Sequence, residues 1–242
     1  MTDTPEAFGT FGALGLDPMS MVALAAIVII GLPHGAFDGA VALALGYGKT
    51  LRSMFRFIVA YIVIAACVVV FWMVFPTVAL LLFLLISMVH FGLGDSQPGG
   101  WVQRSIQTLA HGGLVVIAIS LFHRAEVDPI FAHLLVDDTT VLWMVLSGAA
   151  FGLAVIVACY AVLAFQSPVL RPRLGELAAL GVAYYILPPL AGFALYFCAV
   201  HSMRHMAQIW RELRTGVEGG RSMLQLAFAF SLVTWAAGAL AL

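Results

Sequence analysis

Two histidines at helical spacing carry the clearest chemistry in this sequence. His201 and His205 lie within an apolar stretch and stand four residues apart, so on a helix they share one face, about one turn from each other. This spacing lets two imidazoles bind one metal ion from a single helix. Alternatively, both histidines form hydrogen bonds between helices. Because polar side chains are costly inside a membrane segment, the pair predicts one of these two roles.

The composition indicates an integral membrane protein. Of the 242 residues, 63% are hydrophobic and 10% are charged, whereas a soluble domain is roughly half apolar and about one quarter charged. The net charge of -1 predicts no nucleic-acid partner. The acidic N-terminal stretch predicts no cleavable signal peptide. Three cysteines fall in separate apolar runs and are predicted to be small buried side chains, without disulfides or metal bonds: Cys67, Cys159 and Cys198.

Eight apolar stretches approach the roughly 20 residues that a transmembrane helix needs. They cover residues 19–45, 57–75, 77–94, 106–122, 141–165, 177–187, 191–210 and 223–242. We therefore predict an all-α, polytopic membrane helix bundle, a single membrane-embedded domain over residues 1–242 with about eight transmembrane helices. The histidines within these helices could form a polyhistidine metal site at the centre of the bundle. The fourth stretch is short and prolines interrupt the sixth, so seven helices are the alternative. Residues 123–140 are predicted as a polar loop with solvated His123 and His133.

The positive charges fall mainly in every second connection, which predicts the orientation. Cytoplasmic loops of membrane proteins are enriched in lysine and arginine. Placing the basic connections inside the cell leaves both termini outside, in a multi-pass protein of the inner or plasma membrane. The charges that define these connections are Lys49, Arg52, Arg56, Arg104, Arg171, Arg173, Arg211, Arg214 and Arg221.

In this topology the histidines of the predicted spans lie at similar depths. His34 comes roughly 15 residues into the first span and His90 roughly 13 into the third, at about 1.5 Å per residue. His201 and His205 come roughly 10 to 14 residues into the seventh span, and His111 reaches a similar depth in the fourth, which runs the other way. Neutral imidazoles bind divalent iron, copper or zinc. The common depth therefore favours a metal site over scattered core histidines.

Charged side chains near these histidines can orient them. Asp38 follows the first-span histidine by four residues, and Asp95 follows the third-span histidine by five. Either carboxylate can accept the second N–H of a metal-bound imidazole. They can equally pair with Arg204, and Glu176 is a further possible partner.

Three blocks of sequence resemble the Brp/Blh family of bacterial and archaeal membrane proteins. The blocks are GLPHGAFD at residues 31–38, HFGLGD at 90–95 and PPLAGFALYFCAVHSMRH at 188–205. Their order and spacing are similar along nearly the whole chain, and the third block is the most specific. The resemblance implies a β-carotene 15,15′-dioxygenase that uses non-haem Fe(2+) and O2 to split the central double bond of β-carotene. The product is all-trans retinal, which often serves a microbial rhodopsin.

The resemblance also implies a set of site residues. It places four iron ligands, which would be the catalytic residues, at His34, His90, His201 and His205. Candidates for supporting positions around the iron are Asp38, Asp95, Arg204 and His111, and the last of these could instead face the substrate. The family often has a further histidine after the first aspartate, where this chain has Gly39. Aromatic residues near the histidines either line a slot for the conjugated chain or belong to the core: Phe37, Phe91, Tyr184, Tyr185, Phe193, Tyr196 and Phe197.

Three other classes of membrane protein compete with this interpretation. A b-type haem or electron-transfer protein needs histidines on facing helices, whereas the 201/205 pair lies on one. A metal-ion transporter predicts polar residues across the whole membrane depth, whereas these cluster at one level. A di-iron fatty-acid hydroxylase needs roughly twice as many ligands.

Overall fold

The computed structural model describes residues 17–31, 50–135, 138–216, 231–232 and 235. Within these ranges every regular element is a helix. Four helices are long and apolar enough to cross a membrane: Leu51–Val74, Pro76–Asp95, Trp101–Phe122 and Thr140–Gln166. The prediction of an all-α protein is confirmed for the described residues, and the four long apolar helices support its assignment to the membrane. The number of spans stays a prediction, because residues 32–49 and nearly all of the last predicted span lie outside the described residues.

The described helices follow one another closely along the chain. In order they are α1 (Pro18–Ala26), α2 (Leu51–Val74), α3 (Pro76–Asp95), α4 (Trp101–Gly113), α5 (Ile119–Phe122), α6 (Arg124–Leu135), α7 (Thr140–Gln166), α8 (Arg171–Ile186), α9 (Pro189–Ala194) and α10 (Met203–Gly216). A π-helical segment at Leu114–Ala118 joins α4 to α5, and another at Leu195–Ser202 joins α9 to α10. A third, at Ile27–Gly31, continues α1.

Local capping explains why α2 begins six residues before the predicted span. Thr50 and Ser53 form a capping box, in which each side chain accepts the other residue's backbone N–H. This arrangement satisfies N–H groups that the first turn of a helix leaves without partners. The next helix, α3, follows after Phe75 and begins with Pro76, whose missing N–H costs nothing at the first helical position.

The continuous helix formed by α4 and α5 lies at the centre of the described bundle. Of its most apolar window 67% is buried, whereas the corresponding window of α2 has no buried residue. Ile117 packs with Leu80, Leu142 and Trp143 on one side. On a second side the central helix packs against α3 and against the continuous helix from α9 to α10, hereafter the histidine-bearing helix. On a third side it packs against α7 and α8. The central helix therefore sets where the others lie.

Two glycines bring α3 and α4 into backbone contact. A Cβ atom on Gly92 would lie 1.9 Å from the carbonyl oxygen of Thr108, and one on Gly112 would lie 1.8 Å from that of Met88. No side chain fits at either position while the two helices keep this distance. Small residues at such crossings allow close packing of membrane helices. The crossing fixes α3, which carries His90, against the centre of the bundle.

Three predictions about polar and sulfur-containing residues were wrong. Most of the predicted loop 123–140 is helix α6, because Val127, Phe131 and Leu135 recur every four residues and form one buried face. His123 is not solvated: its Nε2–H donates to the backbone carbonyl of Tyr184 at 2.7 Å. Of the cysteines, only Cys198 is buried, whereas Cys67 and Cys159 lie on exposed faces of long apolar helices, which in a membrane protein face lipid.

Candidate metal centre and chain-binding cavity

One continuous helix, α9 to α10, carries two of the predicted ligands. His201 is 4% exposed and lies in the π-helical segment Leu195–Ser202, and His205 follows one turn later in α10. The two imidazole rings are parallel, with an interplanar angle of 1° and centroids 6.4 Å apart. Insertions of a π-helical turn are frequent at functional sites because they change the direction of the side chains that follow. The predicted common helix face is confirmed.

A third predicted ligand reaches the same place from α3. The rings of His90 and His201 are 5.2 Å apart between centroids. Next to them Gly94 leaves room for the imidazole, since a Cβ atom there would lie 3.3 Å from Cε1 of His201. These side chains surround a cavity of about 240 Å³, hereafter the histidine cavity, which is lined by His90, Leu93, Gly94, His201, His205 and Gln208.

The distances between the imidazole centroids can be compared with those of imidazoles that bind one metal ion. Two imidazoles bound to one ion through metal–nitrogen bonds of about 2.1 Å place their centroids roughly 4.6 to 5.3 Å apart when they occupy neighbouring (cis) octahedral or tetrahedral positions. The His90–His201 pair, at 5.2 Å, meets this spacing. The His201–His205 pair, at 6.4 Å, is wider. Accordingly, no three histidine, cysteine or acidic side chains within the described ranges come together closely enough to hold a metal ion.

A buried ionic cluster connects the helices that carry these histidines. Asp95, whose side chain is fully buried, accepts hydrogen bonds from the Tyr196 hydroxyl at 2.6 Å and from the Arg204 guanidinium at 2.6 Å. Arg204 also forms an ion pair with Glu176 of α8, which Arg173 contacts at 3.2 Å. The sequence left open whether Asp95 supports a histidine or pairs with Arg204. In the structure both of its oxygens are bound by Tyr196 and Arg204.

The remaining predicted site residues are not brought to the histidine cavity within the described structure. His34 and Asp38 lie outside the described residues. His111 is 2% exposed and faces α7, where its Nε2 lies 3.4 Å from the Tyr160 hydroxyl. It is not among the residues that line the histidine cavity. Its side chain instead faces Tyr160 of α7, and the supporting or substrate-facing role suggested for His111 stays a prediction.

A second, larger cavity lies on the opposite side of Phe91 and is mostly apolar. Its volume is about 630 Å³, within the range of cavities that bind organic ligands of drug size. It extends along α3 from Phe83 to Phe91 and reaches the first residues of α1 and α6. We call it the apolar cavity; it is lined by Asp17, Ser20, Phe83, Leu84, Ser87, Phe91, Val115, Val116, Ile119, Ser120, Glu126, Val127, Ile130, Phe131, Pro189, Leu190 and Phe193.

The polar residues at the end of this cavity are already engaged with one another. Asp17 is the N-cap of α1 and accepts hydrogen bonds from Met19 N–H and from the backbone and side chain of Ser20. These bonds lower the pKa of the Asp17 carboxyl below its usual value. Glu126 contacts Nδ1 of His123 at 3.3 Å. The charged groups thus lie at the end of the cavity, and its walls are mostly hydrocarbon.

Comparisons with known proteins agree on one family. A family model described as "Beta-carotene 15,15'-dioxygenase" matches residues 25–242. The chain is 30% identical over 226 residues to "Beta-carotene 15,15'-dioxygenase" of an uncultured marine bacterium (66A03), a match that covers 93% of this chain and 82% of that protein. It is also 30% identical over 226 residues to "Probable beta-carotene 15,15'-dioxygenase Blh" of Halobacterium salinarum, covering 81% of this chain and 64% of that protein. No solved structure gives a significant match.

Proposed function

The chain belongs to the β-carotene 15,15′-dioxygenase family, and from this membership we propose that it cleaves the central 15,15′ double bond of β-carotene with O2. The products are two molecules of all-trans retinal. The observation that carries the proposal is the adjacency of two cavities, one lined by three histidines and the other by hydrocarbon side chains. A metal-dependent reaction on a long apolar molecule needs both.

Iron is the metal that we propose for the histidine cavity, as Fe(2+) held by His34, His90, His201 and His205. The donor chemistry fits, because the lining includes three imidazoles and neither a thiol nor a carboxylate, and neutral imidazoles suit iron. Closing the site requires His201 and His205 to approach each other, and His34 to come in from the segment outside the described residues. Bound there, iron would supply the activation of O2 that an uncatalysed reaction with an alkene lacks.

The protein's own residues hold and orient the substrate. The walls of the apolar cavity bury one part of the hydrocarbon chain and exclude water from it. The Asp95–Arg204 ion pair fixes the histidine-bearing helix against α3, so that one double bond is held near the imidazoles. The reaction breaks the central C=C bond and the bond between the two oxygen atoms and forms two C=O bonds, and the atoms of one β-carotene and one O2 balance those of two retinals.

We further propose where the protein works and what it works with. A single catalytic unit with seven or eight spans and both termini outside would lie in the cell's inner or plasma membrane. β-Carotene would enter from the lipid bilayer, in which it dissolves, and retinal would pass to a rhodopsin in the same membrane. The four long apolar helices support a membrane location, and nothing in the charge distribution favours a nucleic-acid partner.

Expression in cells that accumulate β-carotene tests this function. Extracted pigments are separated by chromatography, with a His201→Ala/His205→Ala variant as the control. We expect wild-type cells to lose their orange colour and to contain retinal as the cleavage product, while the variant keeps β-carotene. Persistent β-carotene in cells with folded, iron-loaded wild-type protein would contradict the proposal.

The same preparations test the ligand set and the rival haem interpretation. We expect His34→Ala, His90→Ala and His205→Ala each to lose bound iron, measured by elemental analysis of the purified proteins. Retained iron and activity in His201→Ala would contradict the site as proposed. A Soret absorption band in the wild-type protein would instead indicate haem.

A further inference from the structure

The side chain of Phe91 lies at the boundary between the two cavities. It contributes to the wall of the apolar cavity, while its chain neighbour His90 lines the histidine cavity. Its ring also contacts His201 edge to face, with centroids 5.0 Å apart and an interplanar angle of 82°. Among the described residues, none lines both cavities. The ring of Phe91 lies between the apolar cavity and His201, and we call it the partition.

Other aromatic rings hold this partition in place. Phe91 meets Tyr196 edge to face at 5.5 Å, and Phe193 and Phe197 at 6.1 and 6.2 Å. Phe193 and Phe197 stack on each other at 5.3 Å. Such pairs each stabilise a packed arrangement beyond the area that they bury. Phe91 itself is only 9% exposed, so its position is defined by its neighbours and not by solvent.

The position of a partition matters for a polyene more than for most ligands. Successive double bonds of a conjugated chain resemble one another chemically, so an oxidising centre near the chain has little intrinsic reason to choose the central one. The double bond that is cleaved must therefore be determined by where the protein stops the carotenoid chain relative to the histidines. Adjacent double bonds are separated by a single bond, so a displacement smaller than a phenyl ring presents a different bond to the histidines.

We propose that Phe91 is a specificity-determining residue, whose ring limits how far a carotenoid chain in the apolar cavity extends past the histidines and so selects the double bond that is cleaved. This inference rests on the proposed function. The apolar cavity holds one half of the substrate, with its ring end near α1 and α6. The remaining half passes the Phe91 ring into the histidine cavity and beyond it. Removing the ring lets the chain slide.

Replacement of Phe91 tests the proposal through the lengths of the products. Purified, iron-loaded Phe91→Ala and Phe91→Leu are incubated with β-carotene, and aldehydes are identified by chromatography and mass spectrometry. We expect Phe91→Ala to form pairs of unequal apocarotenals as at least about a tenth of its product, and Phe91→Leu to form fewer, because leucine fills part of the gap. The wild-type protein forms retinal alone.

The matched control is Phe151→Ala, which removes the same side chain from α7. Phe151 is 77% exposed, and no residue of α7 lines the histidine cavity or the apolar cavity. We expect this variant to keep retinal as its product. Unequal products from Phe151→Ala as well would contradict a specific role for Phe91, since the loss of any phenyl ring would then have the same effect.

Failure of the role of Phe91 can be distinguished from failure of the proposed function. If the wild-type protein forms retinal and both Phe91 variants also form retinal alone, whether faster or slower, the partition role is wrong and the proposed function stands. If the iron-loaded wild-type protein forms no retinal, the proposed function fails and the role of Phe91 fails with it. Phe91→Leu keeps the test decisive in case Phe91→Ala does not fold, because leucine retains most of the buried volume.

Discussion

Asp95 and Arg204 are 109 positions apart in sequence and 2.6 Å apart in the fold. Asp95 ends the helix that carries His90, and Arg204 stands between the two histidines of the other helix. The ion pair therefore joins the two described sources of imidazoles. Because the side chain of Asp95 is fully buried, removal of Arg204 would leave a buried carboxylate without its counter-charge.

Replacing Asp95 by asparagine should destabilise the protein and weaken iron binding. Breaking a buried pair by removing one charge costs about 3–5 kcal/mol, and here it also frees the orientation of the histidine-bearing helix. The measurements are thermal unfolding in detergent and the iron content of the purified protein. The control is Asp138→Asn, an exposed residue that accepts the Thr140 N–H, because the amide oxygen of asparagine can accept the same hydrogen bond. Equal melting temperatures for the two variants would contradict this prediction.

Gly94→Ala should impair the metal site without unfolding the protein. The added Cβ atom would lie 3.3 Å from Cε1 and 3.4 Å from Nδ1 of His201, so the imidazole must move by a few tenths of an ångström. We expect a lower iron content and slower retinal formation at a nearly unchanged melting temperature. Gly148→Ala is the matched control, because an added Cβ there meets nothing within 4 Å. An iron content in Gly94→Ala equal to that of the wild-type protein would contradict this prediction, because the imidazole could then move aside without loss of metal binding.

Gly92→Ala should prevent the protein from folding and not act on the reaction itself. The new Cβ would lie 1.9 Å from the Thr108 carbonyl oxygen, and backbone on a central helix cannot rotate away as a side chain can. Overpacking of this kind costs at least about 1–3 kcal/mol. The measurement is the fraction of protein that elutes as a single folded species in detergent, with Gly152→Ala as the control, where nothing lies near the added atom. A normal yield of folded Gly92→Ala would mean that the crossing is looser than described.

His111→Gln should retain bound iron. His111 faces Tyr160 and does not line the histidine cavity, and its contact of 3.4 Å is long for a hydrogen bond. We expect a small loss of thermal stability, because a buried polar contact is altered, and an iron content equal to that of the wild-type protein. Loss of iron in this variant, while His133→Gln on the exposed face of α6 keeps it, would show that the proposed ligand set is incomplete.

Asp128 should make the junction of α6 and α7 sensitive to acid. Hydrogen bonds from the Trp143 indole N–H and the Thr139 hydroxyl lower the pKa of the Asp128 carboxyl below its usual value of 3.8. A carboxyl whose pKa is lower in the folded than in the unfolded state stabilises the fold fully at pH values above the unfolded-state pKa. This stabilisation is lost as the pH falls through the folded-state pKa. The melting-temperature difference between wild type and Asp128→Asn should therefore be constant near neutral pH and shrink below about pH 4. A difference independent of pH would contradict this.

The sequence predicted the elements better than their contacts. Hydropathy and length predict helices close to those observed for α2, α3, α4–α5 and α7, because a membrane segment must satisfy its backbone hydrogen bonds within itself. The helix α6 was missed because its charged residues resemble a loop, although Val127, Phe131 and Leu135 follow helical spacing. His123 was missed for a different reason: its partner is a backbone carbonyl 61 positions away, which no local pattern indicates.

The sequence by itself was enough to predict helices apolar enough to cross a membrane and the family, since composition and motif spacing are read along one chain. The set of four metal ligands, which the family resemblance implies, stays a prediction. The tertiary structure decided which groups meet. It paired Asp95 with Arg204 and Tyr196, turned His111 towards Tyr160, and placed the Phe91 ring between the histidine cavity and the apolar cavity. These outcomes depend on how helices rotate and cross. Gly92 and Gly112 set one such crossing through contacts with backbone atoms of a neighbouring helix, and a hydropathy pattern contains no information about that neighbour.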